Sequence, residues 1–191
     1  MEESVNPWKI LAEKCVYDND WISVTEFDVI NPNGGAGIYG KIHFKNIAVG
    51  VLPLDENLDT WLVGQYRFPI GAYSWEIPEG GGSAKEDPLE SAKRELLEET
   101  GLSAENWTIL MNMHLSNSVT DEYAVTYLAR ELEQLTARPE ETEKLQVKKF
   151  TFEEVYRMVE KGLITDSISV AAILKVRCMV AEGRLTGSRG R

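Results

Sequence analysis

The stretch of residues 80–102, GGGSAKEDPLESAKRELLEETGL, decides the fold. It begins with three glycines and ends just after Gly101, which follows a run of acidic residues. Asp87 is suited to cap a helix, Pro88 suits a first helical position, and Gly101 suits a left-handed helix end. The stretch therefore predicts a glycine-rich loop followed by a helix over residues 88–100.

Three glutamates of this helix, Glu95, Glu98 and Glu99, share one side because helical neighbours lie three or four residues apart. Each like-charged pair costs roughly 0.2–0.5 kcal/mol on an exposed helix. Screening by solvent would explain the stripe, and so would a bound cation. Mg²⁺ and Mn²⁺ prefer oxygen ligands and often lie between carboxylates and substrate phosphates, so the stripe favours a metal site. The apolar side of the helix, which we expect to pack on a sheet, consists of Leu89, Ala92 and Leu96.

The composition predicts one packed domain of ordinary size. The chain has 191 residues, of which 43% are hydrophobic and 27% charged. No apolar run approaches the ~20 residues of a membrane span, and the acidic N-terminus is unlike a secretory signal. Cys15 and Cys178 lie far apart, as is typical of a reduced, cytoplasmic protein. The net charge of -11 disfavours nucleic acid, so we expect neither nucleic acid nor membrane as a partner.

Hydrophobic patterning predicts a mixed α/β fold. Short strands flank the turn NPNGG at residues 31–35, and further strands cover NIAVGVLP, TWLVGQYRF, YSWEIP, WTILMNMHLS, EYAVTYLARELE and LQVKKFT. Asp87 with Glu90, and Thr151 with Glu154, predict two capping boxes. The second box opens the helix FEEVYRMVEKG, and a last helix runs through SISVAAILKVRCMVAE.

Nine positions of the opening stretch match, without a gap, the pattern G-x5-E-x7-R-E-U-x-E-E-x-G-U, in which U is a bulky aliphatic residue. The matching residues are Gly80, Glu86, Arg94, Glu95, Leu96, Glu98, Glu99, Gly101 and Leu102. This pattern is the Nudix box, and the chain resembles Nudix hydrolases. The segments QYRFP, WEIPEGG and VEKGLITDSISVAAIL are similar to the ADP-ribose pyrophosphatase and nucleoside diphosphate sugar branch. The resemblance implies a Nudix-type α/β/α sandwich with a mixed sheet and a small N-terminal β lobe.

The resemblance assigns the metal site to residues of the box and to the residue directly before it. Glu95 and Glu99 are expected as the main ligands of Mg²⁺ or Mn²⁺. Glu98 would assist in metal binding and catalysis, and the backbone carbonyl of Glu79 would be a further ligand. The residues expected to be structural within the motif are Gly80, Glu86, Arg94 and Gly101.

For two of these structural residues, an alternative role stays open. Arg94 would hold the glutamates in position, and its alternative is a simple surface ion pair. Glu86 would serve either the metal or the packing of the helix.

A carboxylate outside the box is needed to orient the attacking water and accept its proton. By the resemblance, the segment RPEETEKLQVKKF places Glu143 as base or metal partner, with Glu141 as the next candidate. An ordinary charged surface loop has the same composition. Glu122, in SNSVTDE, is assigned to the distal sugar of the substrate and is an alternative base.

The remaining substrate contacts also come from the resemblance. Arg67 would bind the diphosphate, because a guanidinium suits phosphate oxygens, or it would pair with Glu76 at the core edge. Trp21 would stack on the nucleobase, or be a buried structural residue.

The expected activity is metal-dependent hydrolysis of the pyrophosphate bond of nucleoside diphosphate sugars to a nucleoside monophosphate and a sugar phosphate. The divalent ions would neutralise the diphosphate and activate water. Enzymes strict for ADP-ribose carry a proline where Asn117 stands here, so the expected substrates include GDP-mannose as well as ADP-ribose.

Two other functions stay open. A non-catalytic Nudix-fold nucleotide sensor would be expected to have lost box glutamates, and none is missing. A Nudix enzyme acting on another derivative, such as coenzyme A, would be expected to carry a second motif, which we do not find. His43 and His114 lie in no motif, so a serine or cysteine triad has no support.

The resemblance also implies how the chain is organised. Residues 1–45 would form the β lobe and the dimerisation element of a homodimer, since they are too few for an independent core. Residues 46–183 would form the Nudix hydrolase domain, and residues 184–191 a flexible basic tail.

Overall fold

The structure is a computed structural model that describes residues 5–83, 85–136 and 145–188. In chain order, its strands and helices are β1 Lys9–Asp18, β2 Ile22–Ile30, β3 Ala36–Phe44, β4 Asn46–Pro53, β5 Asp59–Arg67, β6 Ala72–Glu76, β7 Glu79–Ser83, α1 Pro88–Thr100, β8 Leu102–His114, β9 Tyr123–Gln134, β10 Gln146–Thr151, α2 Phe152–Glu160 and α3 Ser167–Ala181. A short 3-10 turn covers Phe68–Ile70.

The first of two compact units contains the chain up to Asn46 together with His114–Glu122. Its sheet has three antiparallel strands in the order β1-β2-β3, and β2 pairs with β3 along its whole length. In the turn between them, Asn31 Oδ1 accepts hydrogen bonds from the N–H groups of Asn33 and Gly35 at 2.9 and 3.1 Å. The NPNGG sequence therefore forms the predicted turn through the side chain of its first asparagine.

The second unit comprises Ile47–Met113 and the chain from Tyr123 onward. One of its sheets is antiparallel, with the order β10-β5-β6. The other has the order β7-β4-β9-β8, and it is mixed because β4 and β9 run parallel. The core against this sheet consists of Val49, Val51, Ala92, Leu96, Leu102, Val125, Tyr127 and Ala129. The predicted mixed α/β fold and the buried apolar side of α1 are therefore confirmed.

Helix α1 begins and ends where its sequence predicts. Asp87 caps the helix by accepting a hydrogen bond from the N–H of Leu89 at 3.0 Å, and Pro88 occupies the first turn. Gly101 adopts φ 70°, and its N–H donates to the carbonyl of Leu97 at 2.9 Å. Because a left-handed residue at this point costs least for glycine, the helix ends sharply after its last glutamate.

Two local predictions are wrong. Glu90 does not complete a capping box, because its carboxylate accepts a hydrogen bond from Lys93 Nζ at 2.7 Å on the helix surface. The glycine-rich segment is not a loop but strand β7, Glu79–Ser83, which pairs in the mixed sheet. The second capping box, between Thr151 and Glu154, is confirmed.

None of the helices in the described ranges is long and apolar enough to cross a membrane. The described end of the chain, up to Ser188, contacts the turn between β4 and β5. There the N–H and hydroxyl of Ser188 donate to the carbonyl of Glu56 at 2.7 and 3.1 Å.

Candidate active site

Strand β7 lies directly against α1, and its glycines make this approach possible. A Cβ atom on Gly80 would overlap the carboxyl group of Glu95, and one on Gly82 would overlap the hydroxyl of Ser91. The first box glycine therefore lets the carboxylate of Glu95 lie against the backbone of β7. This contact explains why residues without a side chain stand at these two positions of β7.

Glu99 links the other end of the box to the same strand. Its side chain is buried, with only 4% of the residue exposed. Its Oε2 accepts a hydrogen bond from the N–H of Glu79, the first residue of β7, at 3.0 Å. A carboxylate this deeply buried is costly unless it is hydrogen-bonded, and the backbone N–H supplies such a bond.

Arg94 neutralises much of the carboxylate stripe. Its Nη1 donates to Glu98 and its Nη2 donates to Glu95, both at 2.8 Å. The Nη2 atom also donates to the carbonyl of Gly81 at 3.1 Å. Burial by itself lowers the pKa of Arg94, but the two carboxylates outweigh it and raise that pKa. The repulsion expected along the stripe is thus relieved by an arginine within the helix.

Glu86 packs against the start of α1. Its Oε2 accepts a hydrogen bond from the hydroxyl of Ser91 at 3.1 Å. The packing role named for Glu86 therefore has a contact in this structure. Its role toward a metal stays a prediction.

Arg67 is fixed by two carboxylates. Its Nε and Nη2 both donate to Glu76, at 2.6–3.0 Å, and Nη2 also donates to Glu79 Oε1 at 2.6 Å. Burial lowers the pKa of Arg67, but the hydrogen bonds to Glu76 and the charge of Glu79 raise it further than burial lowers it. Arg67 therefore stays charged and held in place. The predicted pairing with Glu76 is present.

The side chain of Glu79 is an unusual buried acid. Burial raises the pKa of the Glu79 carboxyl well above its ordinary value, and the charges of Asp166 and Glu76 raise it further, against the effect of Arg67. Its Oε2 atom is buried and accepts no hydrogen bond from the described residues.

These side chains line one wall of a cavity of about 390 Å³ in the second unit. Besides Arg67, Glu76 and Glu79, the lining includes Asp166 and Ser167 at the start of α3. The cavity therefore holds a fixed guanidinium beside the strand that carries the predicted carbonyl ligand.

The remaining predicted site residues are Trp21, Glu122, Glu141 and Glu143. Trp21 and Glu122 belong to the first unit, and Trp21 is 66% exposed, which excludes the buried structural alternative. Glu141 and Glu143 lie outside the described residues. Among the described residues of the second unit, Arg67 and the box meet at strand β7, through Glu79 and Gly80.

The donor chemistry of the box fits a hard divalent ion. Among the residues that the structure describes, no three Asp, Glu, His or Cys side chains are grouped so that they could hold a metal ion. Glu95 and Glu99 nevertheless bring carboxylates to β7, one against its backbone and one on its first N–H. Mg²⁺ is usually held by one or two carboxylates, with substrate phosphates and water completing the octahedron, so a small protein ligand set is sufficient.

Two residues near the site were missed in the sequence. Asp166 caps α3 by accepting a hydrogen bond from the N–H of Ser169 at 2.7 Å, and the Ser169 hydroxyl accepts one from the N–H of Ile77 at 2.9 Å. The capping rule would have identified Asp166, because it directly precedes an apolar helical pattern. Its closeness to Glu79 has no signal in a single sequence.

Comparison with known protein families shows to which family the chain with this site belongs. The model of the NUDIX domain matches residues 44–168, which include the whole box and most of the second unit. The chain belongs to the Nudix family. The model of the nucleoside diphosphate sugar hydrolase N-terminal domain matches residues 8–42, which form the β1-β2-β3 sheet. This Nudix protein therefore falls in the nucleoside diphosphate sugar hydrolase branch.

Individual relatives agree with the family. An ADP-ribose pyrophosphatase of Mycobacterium tuberculosis is 35% identical over 158 residues, which cover 80% of this chain and 75% of the relative. An ADP-ribose pyrophosphatase of Bacillus subtilis is 31% identical over 167 residues, covering 86% and 90%. A crystal structure of an ADP compounds hydrolase superposes with a TM-score of 0.83 at 22% identity, over 96% of this chain and 100% of that one. The predicted Nudix-type fold with its N-terminal β lobe is thereby confirmed.

Proposed function

We propose that this Nudix protein hydrolyses the pyrophosphate bond of nucleoside diphosphate sugars, with Mg²⁺ or Mn²⁺, to a nucleoside monophosphate and a sugar phosphate. The observation that carries the proposal is the strand–helix unit of the box. In it, Glu95 lies against the backbone at Gly80 and Glu99 holds the N–H of Glu79. A non-catalytic sensor would have no need to keep two box carboxylates at the same strand.

The proposed metal ligands are Glu95 and Glu99, assisted by Glu98 and the carbonyl of Glu79. When bound, the ion supplies charge neutralisation of the diphosphate and activation of water. The role of the chain is to hold the carboxylates before the ion arrives. Arg94 does this through its bonds to Glu95 and Glu98, which supports a structural role for it.

Arg67 is proposed to bind the diphosphate. Glu76 holds the guanidinium through Nε and Nη2, while Nη1 makes no hydrogen bond to any residue in the described ranges. A guanidinium that is fixed on one edge has its other N–H groups free for phosphate oxygens. Pairing with Glu76 and binding of phosphate are thus compatible roles, with Glu76 acting on substrate through Arg67.

The base is proposed from the sequence alone. Glu143, or Glu141 next to it, would accept the proton of the attacking water. The residues that flank this segment are fixed on both sides. The N–H of Leu135 donates to the carbonyl of Gly101 at 2.7 Å, and Gln146 pairs with Gly64 on β5.

The substrate range is proposed to include ADP-ribose and GDP-mannose. The two ADP-ribose pyrophosphatase relatives support the first. Asn117, in place of the proline of strict ADP-ribose enzymes, supports the wider range.

A panel of ADP-ribose, GDP-mannose and UDP-glucose with Mg²⁺ tests the proposal through the nucleoside monophosphate released. We expect release from at least one of them, and loss of that release when Mg²⁺ is removed with a chelator. Hydrolysis of none, combined with tight binding of one, would overturn the proposal and favour the sensor.

A further inference from the structure

The guanidinium of Arg67 has two edges at which a pair of parallel N–H groups can bind an anion. Nε and Nη2 form one edge, and Glu76 occupies it, with contacts of 2.9 and 3.0 Å to Nε and 2.6 Å to Nη2. Nη2 and Nη1 form the other edge. This second edge is the one that a phosphate can bind while Glu76 keeps Arg67 in place.

Glu79 occupies half of the second edge. Nη2 carries two hydrogens, and because Glu76 accepts the one on the Nε side, the other is left for Glu79. Oε1 of Glu79 lies 2.6 Å from Nη2 and accepts this second bond. Among the residues that the structure describes, Nη1 has no hydrogen-bond partner. A phosphate at this edge would therefore meet one open nitrogen with a carboxylate beside it.

The backbone of Glu79 is held independently of its side chain. It belongs to β7, and its N–H donates to Glu99 Oε2 at 3.0 Å. The side chain is only 12% exposed and lies in the wall of the same cavity as Arg67. Burial raises the pKa of the Glu79 carboxyl, the charges of Asp166 and Glu76 add to this, and Arg67 opposes it. Since burial and two acids disfavour this charge, we expect the fold to tolerate its removal.

We infer that the side chain of Glu79 restricts how Arg67 binds the diphosphate. It occupies Nη2, so that a phosphate finds one N–H group on this edge where two would form a fork. Glu79 is thus a positioning residue that acts on substrate through Arg67 and lowers the affinity for the diphosphate. The inference rests on the proposed function for the role of Arg67.

Calorimetric titration of the methylene analogue of ADP-ribose, with Mg²⁺ present, tests the inference without turnover. Glu79→Ala should bind the analogue about tenfold more tightly, because the second N–H of the edge becomes available for a charge-assisted hydrogen bond. Glu79→Gln keeps an oxygen acceptor for Nη2 and should gain less. Asp166→Asn is the matched control, because it removes a charge near Arg67 without releasing any of its N–H groups, and asparagine caps a helix as well as aspartate does. Equal affinity in wild type and Glu79→Ala would overturn the inference.

A second pair of variants shows whether the gain passes through Arg67. Arg67→Lys keeps a positive charge beside Glu76 but has no planar fork. Adding Glu79→Ala to Arg67→Lys should therefore tighten binding by no more than about twofold. The full gain in that background would mean that Glu79 acts only through its charge, and would contradict the inference.

Kinetics on the best substrate of the panel separate affinity from structure. In Glu79→Ala, KM should fall by a factor similar to the gain in binding, an effect that a merely structural role of the carboxylate would not produce. If neither wild type nor Glu79→Ala binds the analogue, the inference fails together with the diphosphate role of Arg67. If binding tightens as expected but no substrate is hydrolysed, the inference stands and the proposed function fails.

Discussion

At the scale of single residues, the site depends on Gly80 having no side chain. Gly80 lets the carboxylate of Glu95 lie against β7, and any Cβ there would displace that carboxylate. The atoms in the way are the end of a flexible side chain, so the fold can adjust at little cost. The chemistry cannot adjust in the same way, because a ligand moved by about 1 Å can cost 100-fold in rate.

Gly80→Ala should therefore damage activity much more than stability. We expect kcat/KM with Mg²⁺ to fall about 100-fold. The free energy of unfolding should fall by only about 1 kcal/mol. Steady-state kinetics and thermal unfolding of the same preparation measure both. Gly37→Ala, on β3 with nothing within 4 Å of the new Cβ, is the matched control. Full activity in Gly80→Ala would show that Glu95 is not part of the active site.

At the scale of elements, the turn between β4 and β5 shows how one carboxylate holds a connection. Asp55 Oδ1 accepts hydrogen bonds from the N–H groups of Asn57 and Asp59, both at 2.8 Å. Its Oδ2 accepts one from Lys149 Nζ of β10, also at 2.8 Å. Burial raises the pKa of Asp55, but the bonds from Lys149 and the turn outweigh it, so that pKa lies below its ordinary value.

A lowered carboxyl pKa stabilises the fold at neutral pH, and this contribution is lost as the pH falls below the ordinary value of 3.8. Asp55→Asn keeps the turn acceptor but loses the ion pair. We expect it to lower the free energy of unfolding by roughly 0.5–1 kcal/mol at pH 7, since Lys149 is partly exposed. The difference from wild type should shrink toward pH 3 in thermal unfolding. A difference that is constant with pH would contradict the role of the charge.

Elements with a local sequence signal, the helix ends and the strands of alternating or apolar pattern, were predicted from the sequence, whereas strand β7 was not. The ends of α1 follow from Asp87, Pro88 and Gly101, which act within one turn of the helix. The strand nature of Glu79–Ser83 depends on its pairing in the mixed sheet and on its approach to α1, which are not local. The sequence supplied the box residues, and the resemblance assigned Arg94 to hold the glutamates, but which carboxylates it binds, Glu95 and Glu98, comes from the structure.

At the scale of the whole molecule, the β1-β2-β3 sheet leaves large apolar side chains exposed. Those more than half exposed on β1 and β3 include Ile10, Leu11, Tyr17 and Ile38. Every residue of β1 is exposed in the single chain. Exposed apolar surface of this kind marks an interaction site. We propose that this sheet is the dimerisation element expected from the sequence.

Light scattering of the whole protein should therefore give twice the chain mass of 21.5 kDa. Leu11→Lys places a charge on the exposed sheet and should shift the mass toward that of one chain. Leu163→Lys, at a position that is 60% exposed in the second unit, is the matched control and should leave the mass unchanged. A wild-type mass of 21.5 kDa would exclude the homodimer.

The claim on which the proposed chemistry depends is that the glutamates of α1 bind a divalent ion. Calorimetric titration of Mn²⁺ into the protein, with a non-hydrolysable methylene analogue of ADP-ribose present, measures this directly. We predict saturable binding that weakens about tenfold or more in Glu99→Gln, because one carboxylate ligand is lost. Glu90→Gln, on the same helix but paired with Lys93, should bind as wild type does. Equal Mn²⁺ affinity in wild type and Glu99→Gln would contradict the metal site.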